Sequence, residues 1–211
     1  MISSYHRVLF VHIPKCAGQS VELSFLKDIH PSLNWGKHRH LLTCFKKPND
    51  QCWNRLVPSR LAHLKASEYY ELNVITKAYF DSLFKFAIVR DPCQRTLSAF
   101  RHINRNRDVG DADLEDFSTS SLPLLKDSQF FFASQKAYLA DRAGNLLVDR
   151  LVRFSALDEE FDAIGRDLGL SGLSLHTRNI SPPSKLALTD RAEKAIREVY
   201  AEDYEFFANG F

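Results

Sequence analysis

The sequence predicts an α/β fold with a mainly parallel central sheet flanked by helices. Two segments support this prediction, because in each a short apolar run is followed by apolar residues at helical spacing. The first run is residues 8–11, and the helical pattern after it begins at Val21. The second run is residues 86–89, and its helical pattern begins at Leu97. Strands that alternate with helices favour parallel pairing, because a helical crossover joins parallel strands.

Local patterns predict the remaining elements. Helices are predicted over residues 67–83, 156–168 and 189–207. Short strands are predicted over residues 146–148 and 151–154. Polar composition predicts irregular structure over residues 30–62, 108–121 and 171–185.

Residues 12–20 connect the first strand to the first helix and have the composition of an anion-binding turn. Lys15 supplies a full positive charge, and Gly18 lets the backbone approach a ligand closely. The helix that follows presents unpaired N–H groups and a partial positive charge at its first turn. The loop therefore predicts a phosphate or sulfate site, although a plain strand–turn–helix with a surface lysine has the same pattern. The residues expected to hold the anion are Lys15, Cys16, Ala17, Gly18, Gln19 and Ser20.

The loop differs from a Walker A loop, in which glycines precede the lysine and a Ser or Thr hydroxyl follows it to hold magnesium. Here no glycine precedes Lys15, and Cys16 follows it. A thiol is a poor ligand for a hard cation such as magnesium. We therefore expect no metal at this site, which favours sulfuryl transfer over ATP-dependent phosphoryl transfer.

A second candidate anion motif follows the strand predicted at residues 86–89. Arg90 comes directly after this strand, and Asp91 and Pro92 are typical of the N-cap and first position of a helix. Arg90 and the hydroxyl of Ser98 could bind one phosphate from two directions. A capped surface helix with solvated arginines fits the same pattern. Because ligands of open α/β sheets bind beyond the carboxyl ends of strands, the two motifs together predict one ligand with two anionic ends.

Both motifs resemble those of sulfotransferases that use 3′-phosphoadenosine 5′-phosphosulfate (PAPS). HIPKCAGQS resembles their 5′-phosphosulfate loop, and VRDPCQRTLSAF resembles their 3′-phosphate motif. The resemblance is strongest to carbohydrate sulfotransferases of the heparan sulfate 2-O and 6-O type and their small bacterial counterparts. It departs at Cys16 and Gln19, where the family loop has threonines. It covers most of the chain and implies a P-loop nucleotide-kinase-like sulfotransferase fold in one domain, residues 1–211.

The resemblance implies a role for four of these residues. Lys15 is expected to neutralise charge on the departing phosphosulfate, and Arg90 and Ser98 are expected to bind the 3′-phosphate. His63, in the segment RLAHLKASEYYEL, is expected to be the base that accepts the proton of the acceptor hydroxyl. Glu68 or Glu71 could orient this imidazole, but only their proximity in sequence suggests it. His12, in the first strand, is expected to be packed or bonded to the loop.

Further substrate and cofactor contacts are expected outside the two motifs. Gln135 corresponds to a family glutamine before a Tyr-Leu pair and is expected to contact substrate. His38 and His40 lie in the basic stretch KHRH of a substrate-facing insertion, residues 30–62. In relatives, the position of residues 171–185 is a flexible loop that covers the cofactor, which makes Arg178 and Ser181 candidates there.

The sequence therefore predicts an enzyme that transfers a sulfuryl group from PAPS to a hydroxyl of a carbohydrate by metal-free in-line displacement. The released product would be adenosine 3′,5′-bisphosphate. Two alternatives stay open, an ATP-dependent small-molecule kinase and a degenerate nucleotide-binding protein without activity. The departures at Cys16 and Gln19 keep the second alternative open. The identity of the acceptor and the oligomeric state are not predicted.

Composition agrees with a globular enzyme of one domain. The chain has 211 residues, of which 45% are hydrophobic and 26% are charged. A net charge of +2 argues against wholesale nucleic-acid binding, and the clustered basic residues fit either an anionic glycan or a solvated surface. The first strand begins at residue 8 and no long apolar run occurs, so we expect a cytoplasmic protein without a membrane span. The four cysteines form no zinc pattern, and a Cys44–Cys52 pair stays open.

Overall fold

A computed structural model describes residues 1–42, 62–177 and 185–210 of the chain. The chain divides into two compact units. The first unit consists of Met1–Val89 and Tyr138–Ile180, and the second consists of Arg90–Ala137 and Ser181–Phe211. Each unit contains one of the two predicted anion motifs.

The described residues form a four-stranded sheet and eleven α-helices. The strands are β1 Ile2–Ser3, β2 Val8–Val11, β3 Phe84–Val89 and β4 Arg150–Arg153. The helices are α1 Gly18–Ile29, α2 Trp35–His38, α3 Glu68–Glu71, α4 Lys77–Asp81, α5 Pro92–Ile103, α6 Asp111–Asp116, α7 Leu122–Ser128, α8 Gln135–Leu139, α9 Leu157–Asp167, α10 Asp190–Val199 and α11 Ala201–Gly210.

The sheet lies in the first unit, with its strands in the order β1, β2, β3, β4. β1 pairs with β2 in antiparallel orientation, whereas β2 pairs with β3, and β3 with β4, in parallel. The predicted mixed α/β fold with a mainly parallel sheet is confirmed. Because β2 and β3 run in parallel, the segments that follow Val11 and Val89 begin at the same edge of the sheet.

Tilted and edge-to-face aromatic rings form the core of the first unit. The ring centroid of Phe86 in β3 lies 5.0 Å from that of Phe10 in β2 and 6.0 Å from that of Phe25 in α1. Phe25 also contacts Phe161 of α9 edge to face, at 6.1 Å. These rings are inaccessible to solvent, so the helix that follows the anion loop is anchored to the sheet by apolar burial.

The second unit has a separate core, formed where α10 packs against α5, α6 and α7. Its buried residues include Phe100, Leu114, Leu122, Ile196 and Tyr200. The Tyr200 hydroxyl donates a hydrogen bond of 2.7 Å to the Phe132 carbonyl, which satisfies a polar group inside this core.

The predicted helix over residues 67–83 is wrong as one element. The structure has two short helices there, α3 and α4, because Asn73 adopts a left-handed backbone with φ of 54° and ends the first. Thr76 then starts the second helix, since its hydroxyl accepts a hydrogen bond from the Tyr79 N–H.

The prediction of an irregular polar loop over residues 108–121 is also wrong. Residues 111–116 form α6, and Phe117–Ser121 form a π-helical turn. The side chain of Asp113 accepts a 2.8 Å hydrogen bond from the Gly110 N–H and caps the helix. Leu114 is fully buried, so apolar packing overrides the acidic composition of the segment.

Smaller corrections concern the last third of the chain. Residues 146–148 form no strand but contribute a single bridge between Ala140 and Leu146, and the strand β4 ends at Arg153. The helix predicted over residues 189–207 is divided at Tyr200 into α10 and α11. Most of the predicted insertion, residues 43–61 with Cys44 and Cys52, lies outside the described residues, as do residues 178–184.

Candidate active site

The anion loop, residues 12–17 between β2 and α1, makes a sharp turn in the first unit. Lys15 and Ala17 both have left-handed backbones, with φ of 67° and 57°. Such angles are uncommon outside glycine, so the backbone of this turn is constrained. Two of the amides expected to face the ligand donate inside the turn instead, Cys16 N–H to the Ile13 carbonyl at 3.3 Å and Ser20 N–H to the Ala17 carbonyl at 2.9 Å.

Gly18, the first residue of α1, lies directly against the imidazole of His12. A Cβ atom added at Gly18 would stand 1.9 Å from Nε2 of His12, far inside van der Waals contact. Only a hydrogen atom fits between the helix and the ring, so any residue larger than glycine at position 18 would collide with His12. His12 is buried, so the prediction that it packs on the loop is confirmed.

Glu22 holds the His12 ring from the other side. Its Oε1 lies 3.2 Å from His12 Nδ1, and its Oε2 accepts a 2.6 Å hydrogen bond from the indole N–H of Trp35. Burial opposes the ionisation of Glu22, but the hydrogen bond and charge interaction with His12 outweigh it and lower its pKa to about 2. The carboxylate is therefore charged at neutral pH and fixes the hydrogen on His12 Nδ1.

His63 lies beside His12, with the two ring centroids 4.3 Å apart. Its Nδ1 is 2.8 Å from the backbone carbonyl of His12, which can only accept a hydrogen bond. The hydrogen of the neutral ring is therefore on Nδ1, and the lone pair is on Nε2. Burial lowers the pKa of His63, and the charge interaction with His12 lowers it further, to about 3. His63 is consequently a neutral imidazole with a fixed tautomer at physiological pH.

A backbone carbonyl thus orients Nδ1 of His63. Glu68 accepts a 2.8 Å hydrogen bond from the Lys65 N–H. Sequence reasoning missed Glu22 and Trp35 altogether, because a glutamate in an amphipathic helix ordinarily faces water. One signal was available: the charge of an acidic residue repels an anion that is proposed to bind close by, unless a partner compensates it.

The second unit presents Arg90 at the start of a tightly held segment. Asp91 is the N-cap of α5, since its Oδ1 accepts a 2.9 Å hydrogen bond from the Gln94 N–H, and Pro92 occupies the first helical position. The predicted cap and helix are confirmed. The other carboxylate oxygen of Asp91 accepts a 3.2 Å hydrogen bond from the Tyr204 hydroxyl. Ser98 is half-buried in α5, almost two turns after its first residue.

Gln135, the predicted substrate contact, lies in the interior of the second unit beside Arg90. It is fully buried, its Oε1 accepts a 2.9 Å hydrogen bond from Arg90 N–H, and its Nε2 donates a 2.7 Å bond to the Arg90 carbonyl. The side chain of Gln135 therefore pairs with the main chain of Arg90.

The other predicted site residues are divided between surface and undescribed positions. His40 is exposed, and His38 is partly exposed with its Nδ1 3.0 Å from the Asn34 N–H. Arg178 and Ser181 lie outside the described residues.

Comparison with known proteins identifies the family of the chain. Residues 1–129, more than half of the chain, match the model of the sulfotransferase family. The chain belongs to the sulfotransferase family. The matched range contains the anion loop, His63, Arg90 and Ser98, whereas Gln135 follows it. Searches of curated proteins and of solved structures gave no match.

Membership in the sulfotransferase family makes the chain a transferase and indicates sulfuryl transfer to an acceptor. Within the described ranges, no helix is both long enough and apolar enough to cross a membrane. The same part of the chain contains no cluster of three or more His, Cys, Asp or Glu side chains arranged to hold a metal ion.

Proposed function

We propose that this sulfotransferase-family chain transfers a sulfuryl group from PAPS to a hydroxyl of a carbohydrate. The observation that carries the proposal is His63 beside the anion loop, with Nδ1 bonded to the His12 carbonyl at 2.8 Å, which puts the basic lone pair of the neutral ring on Nε2. A sugar hydroxyl is a weak nucleophile, so a positioned base is what this transfer needs.

The anion loop suits the phosphosulfate end of the donor. The left-handed turn at Lys15 and Ala17 leads into the N-terminus of α1, where a helix of twelve residues presents a partial positive charge. Lys15 adds a full charge that stabilises the departing phosphate as negative charge builds on it. The remaining contacts would come from Gly18 and Gln19 at the start of the helix.

His63 takes the proton in this proposal. As the acceptor oxygen bonds to sulfur, the bond between sulfur and the bridging oxygen of the donor breaks, and the acceptor proton moves to Nε2 of His63. A base whose pKa is about 3 is weak in the free protein. A bound anion next to the ring stabilises the imidazolium form, so the pKa of His63 rises when the loop is occupied.

Arg90 and Ser98 are proposed to bind the 3′-phosphate of the donor. The arginine offers a planar fork of donors that matches phosphate oxygens, and the serine hydroxyl follows on α5. Support comes from the capped helix and from the resemblance of this motif to the 3′-phosphate motif of PAPS-dependent enzymes.

The carbohydrate acceptor and the P-loop nucleotide-kinase-like fold are proposed on that same resemblance. The basic residues His38 and His40, close in sequence to Trp35, are the proposed acceptor contacts. An anionic glycan fits the positive charge of the neighbouring Lys37 and Arg39.

Calorimetry with three nucleotides tests the donor. Adenosine 3′,5′-bisphosphate is expected to bind about tenfold to a hundredfold more tightly than ADP, because a charge-assisted bidentate contact contributes about 1.5–3 kcal/mol. Arg90→Ala should remove this preference, while Arg191→Ala, an exposed arginine that pairs with Glu115, should keep it. Equal affinity of the wild type for the two nucleotides contradicts the donor assignment, and tight binding of ATP with magnesium supports the kinase.

Transfer itself is tested with radiolabelled PAPS and a panel of glycans, with and without EDTA. Label should appear on a glycan at the same rate in both conditions, because Lys15 and backbone amides replace the metal in this proposal. A strict requirement for magnesium, or label on no glycan, would contradict it.

A further inference from the structure

Two buried side chains of the second unit form a chain of hydrogen bonds that ends at Arg90. The carboxylate of Asp203 in α11 accepts bonds from Gln135 N–H at 3.0 Å and from Lys136 N–H at 2.9 Å. The amide of Gln135 then bonds to both Arg90 N–H and the Arg90 carbonyl. Asp203 and Gln135 are both 0% exposed.

The two hydrogen bonds from Gln135 to the Arg90 main chain take the place of those that a neighbouring strand would make. The parallel ladder between β3 and β4 ends at the pair Val89 and Arg153, one residue before Arg90. The Gln135 amide, with one acceptor and one donor, satisfies the next N–H and carbonyl of the main chain as a paired strand would. The backbone of Arg90 is therefore fixed by a side chain at the point where the sheet stops.

Asp203 fixes Gln135 in turn. Its two oxygens each accept one N–H of the first turn of α8, so the backbone that carries Gln135 is set by α11. A carboxylate used in this way has its charge directed at backbone donors. The bonds of Gln135 connect it to Arg90.

We propose that Gln135 and Asp203 are positioning residues that set the contact of Arg90 with the nucleotide 3′-phosphate. This inference rests on the proposed function, and it adds that preference for a 3′-phosphorylated nucleotide depends on two residues beyond the part of the chain that matches the family model. Neither residue contacts the nucleotide. A displacement of about 1 Å in Arg90 is enough to weaken its contact with the phosphate.

The test measures the ratio of the affinities for adenosine 3′,5′-bisphosphate and ADP in the full chain. Gln135→Met keeps the length of the side chain and removes both bonds to Arg90. The bisphosphate affinity should fall about tenfold, the value of a lost pair of hydrogen bonds, with the ADP affinity changed less than twofold. Gln135→Glu keeps an acceptor for Arg90 N–H and loses the donor, so its ratio should be intermediate. Asp203→Asn should lower the ratio less than Gln135→Met.

Gln129→Met is the matched control, because Gln129 is an exposed glutamine of the same unit, and it should keep the wild-type ratio. Thermal unfolding by circular dichroism identifies the folded variants, and if Gln135→Met does not fold, Gln135→Glu decides by the same ratio. A wild type without nucleotide preference overturns the proposed function and this inference together. A wild type that prefers the bisphosphate, with folded Gln135 variants that share its ratio, overturns only this inference.

Discussion

The two units hold their candidate binding groups by different physical means. In the first unit, a carboxylate holds the site: Glu22 bonds to the His12 side chain, and the His12 carbonyl bonds to His63. In the second unit, an amide does so: the side chain of Gln135 bonds to the main chain of Arg90. The group bonded to Arg90 therefore does not titrate, although the Asp203 carboxylate that holds Gln135 does.

This difference fits the roles proposed for His63 and Arg90. A residue that takes a proton needs a pKa that its surroundings can shift, and burial beside His12 provides this for His63. A residue that recognises a phosphate needs a constant charge and a fixed direction, which an arginine with a pinned backbone provides. In the proposed function, the first unit carries the chemistry and the second recognises the nucleotide, so substitutions in each unit should affect different measured quantities.

The largest effect is expected from His63→Ala. Its transfer rate should fall by roughly 10²–10⁴-fold, the usual contribution of a positioned general base, with nearly unchanged affinity for adenosine 3′,5′-bisphosphate. Lys15→Ala should lower both the rate and the affinity, because Lys15 is proposed to contact the donor. Calorimetry and a transfer assay on one acceptor measure both quantities.

His30→Ala is the control for these variants, because His30 is exposed and its Nδ1 lies 2.7 Å from the Ser32 hydroxyl. It should behave as the wild type. A His63→Ala protein with full activity would remove this histidine from the mechanism without affecting the donor assignment.

The next effect is expected from Gly18→Ala. The new methyl group would collide with His12 Nε2 at 1.9 Å, and Glu22 holds that ring in place. The free energy of unfolding should fall by about 1–3 kcal/mol, and the rate about 10²-fold, because His63 is bonded to the residue that is displaced. Denaturant unfolding and the transfer assay measure the two effects.

Gly36→Ala provides the comparison for this substitution in the same unit. Its Cβ would meet nothing closer than Asn34 Oδ1 at 3.7 Å, and alanine favours the helix α2, so no loss is expected. Equal effects at the two glycines would show that the contact between Gly18 and His12 does not support the site.

The pH dependence of the rate separates a buried His63 from an ordinary one. Because its pKa is about 3 in the free protein, kcat/KM should change less than twofold from pH 8 to pH 5. A histidine with a pKa near 6.5 would lower kcat/KM about 30-fold at pH 5. Since the bound donor raises the pKa, kcat should begin to fall at a higher pH than kcat/KM. A fall in kcat/KM centred near pH 6.5 would contradict the described surroundings of His63.

Sequence patterns predicted the elements that present the site but not the contacts that hold it. The strand before Lys15, the helix after Gly18 and the cap at Asp91 follow from local rules of burial, backbone freedom and capping. The bonds between Glu22 and Trp35, and between Asp203 and Gln135, join residues 13 and 68 positions apart. No local pattern distinguishes such a buried polar residue from one on a solvated helix face.

The smallest effect concerns stability in acid, and it has opposite signs in the two units. The pKa of His63 is about 3 in the folded protein, below the ordinary 6.5 of the unfolded chain. Between these two values the unfolded chain binds a proton at His63 and the folded chain does not. Stability is therefore lost as pH falls from 6.5 towards 3, by up to about 1.4 kcal/mol per pH unit. Burial instead raises the pKa of Asp203, so the folded protein binds a proton there more readily, and the contribution of Asp203 to stability increases as pH falls.

Urea unfolding followed by circular dichroism at pH 7, 6, 5 and 4 measures how stability is lost in acid. The loss of stability should be less steep in His63→Asn and steeper in Asp203→Asn than in the wild type. His30→Asn should follow the wild type. If His63→Asn and Asp203→Asn changed the slope in the same direction, the opposite pKa shifts of His63 and Asp203 would be contradicted.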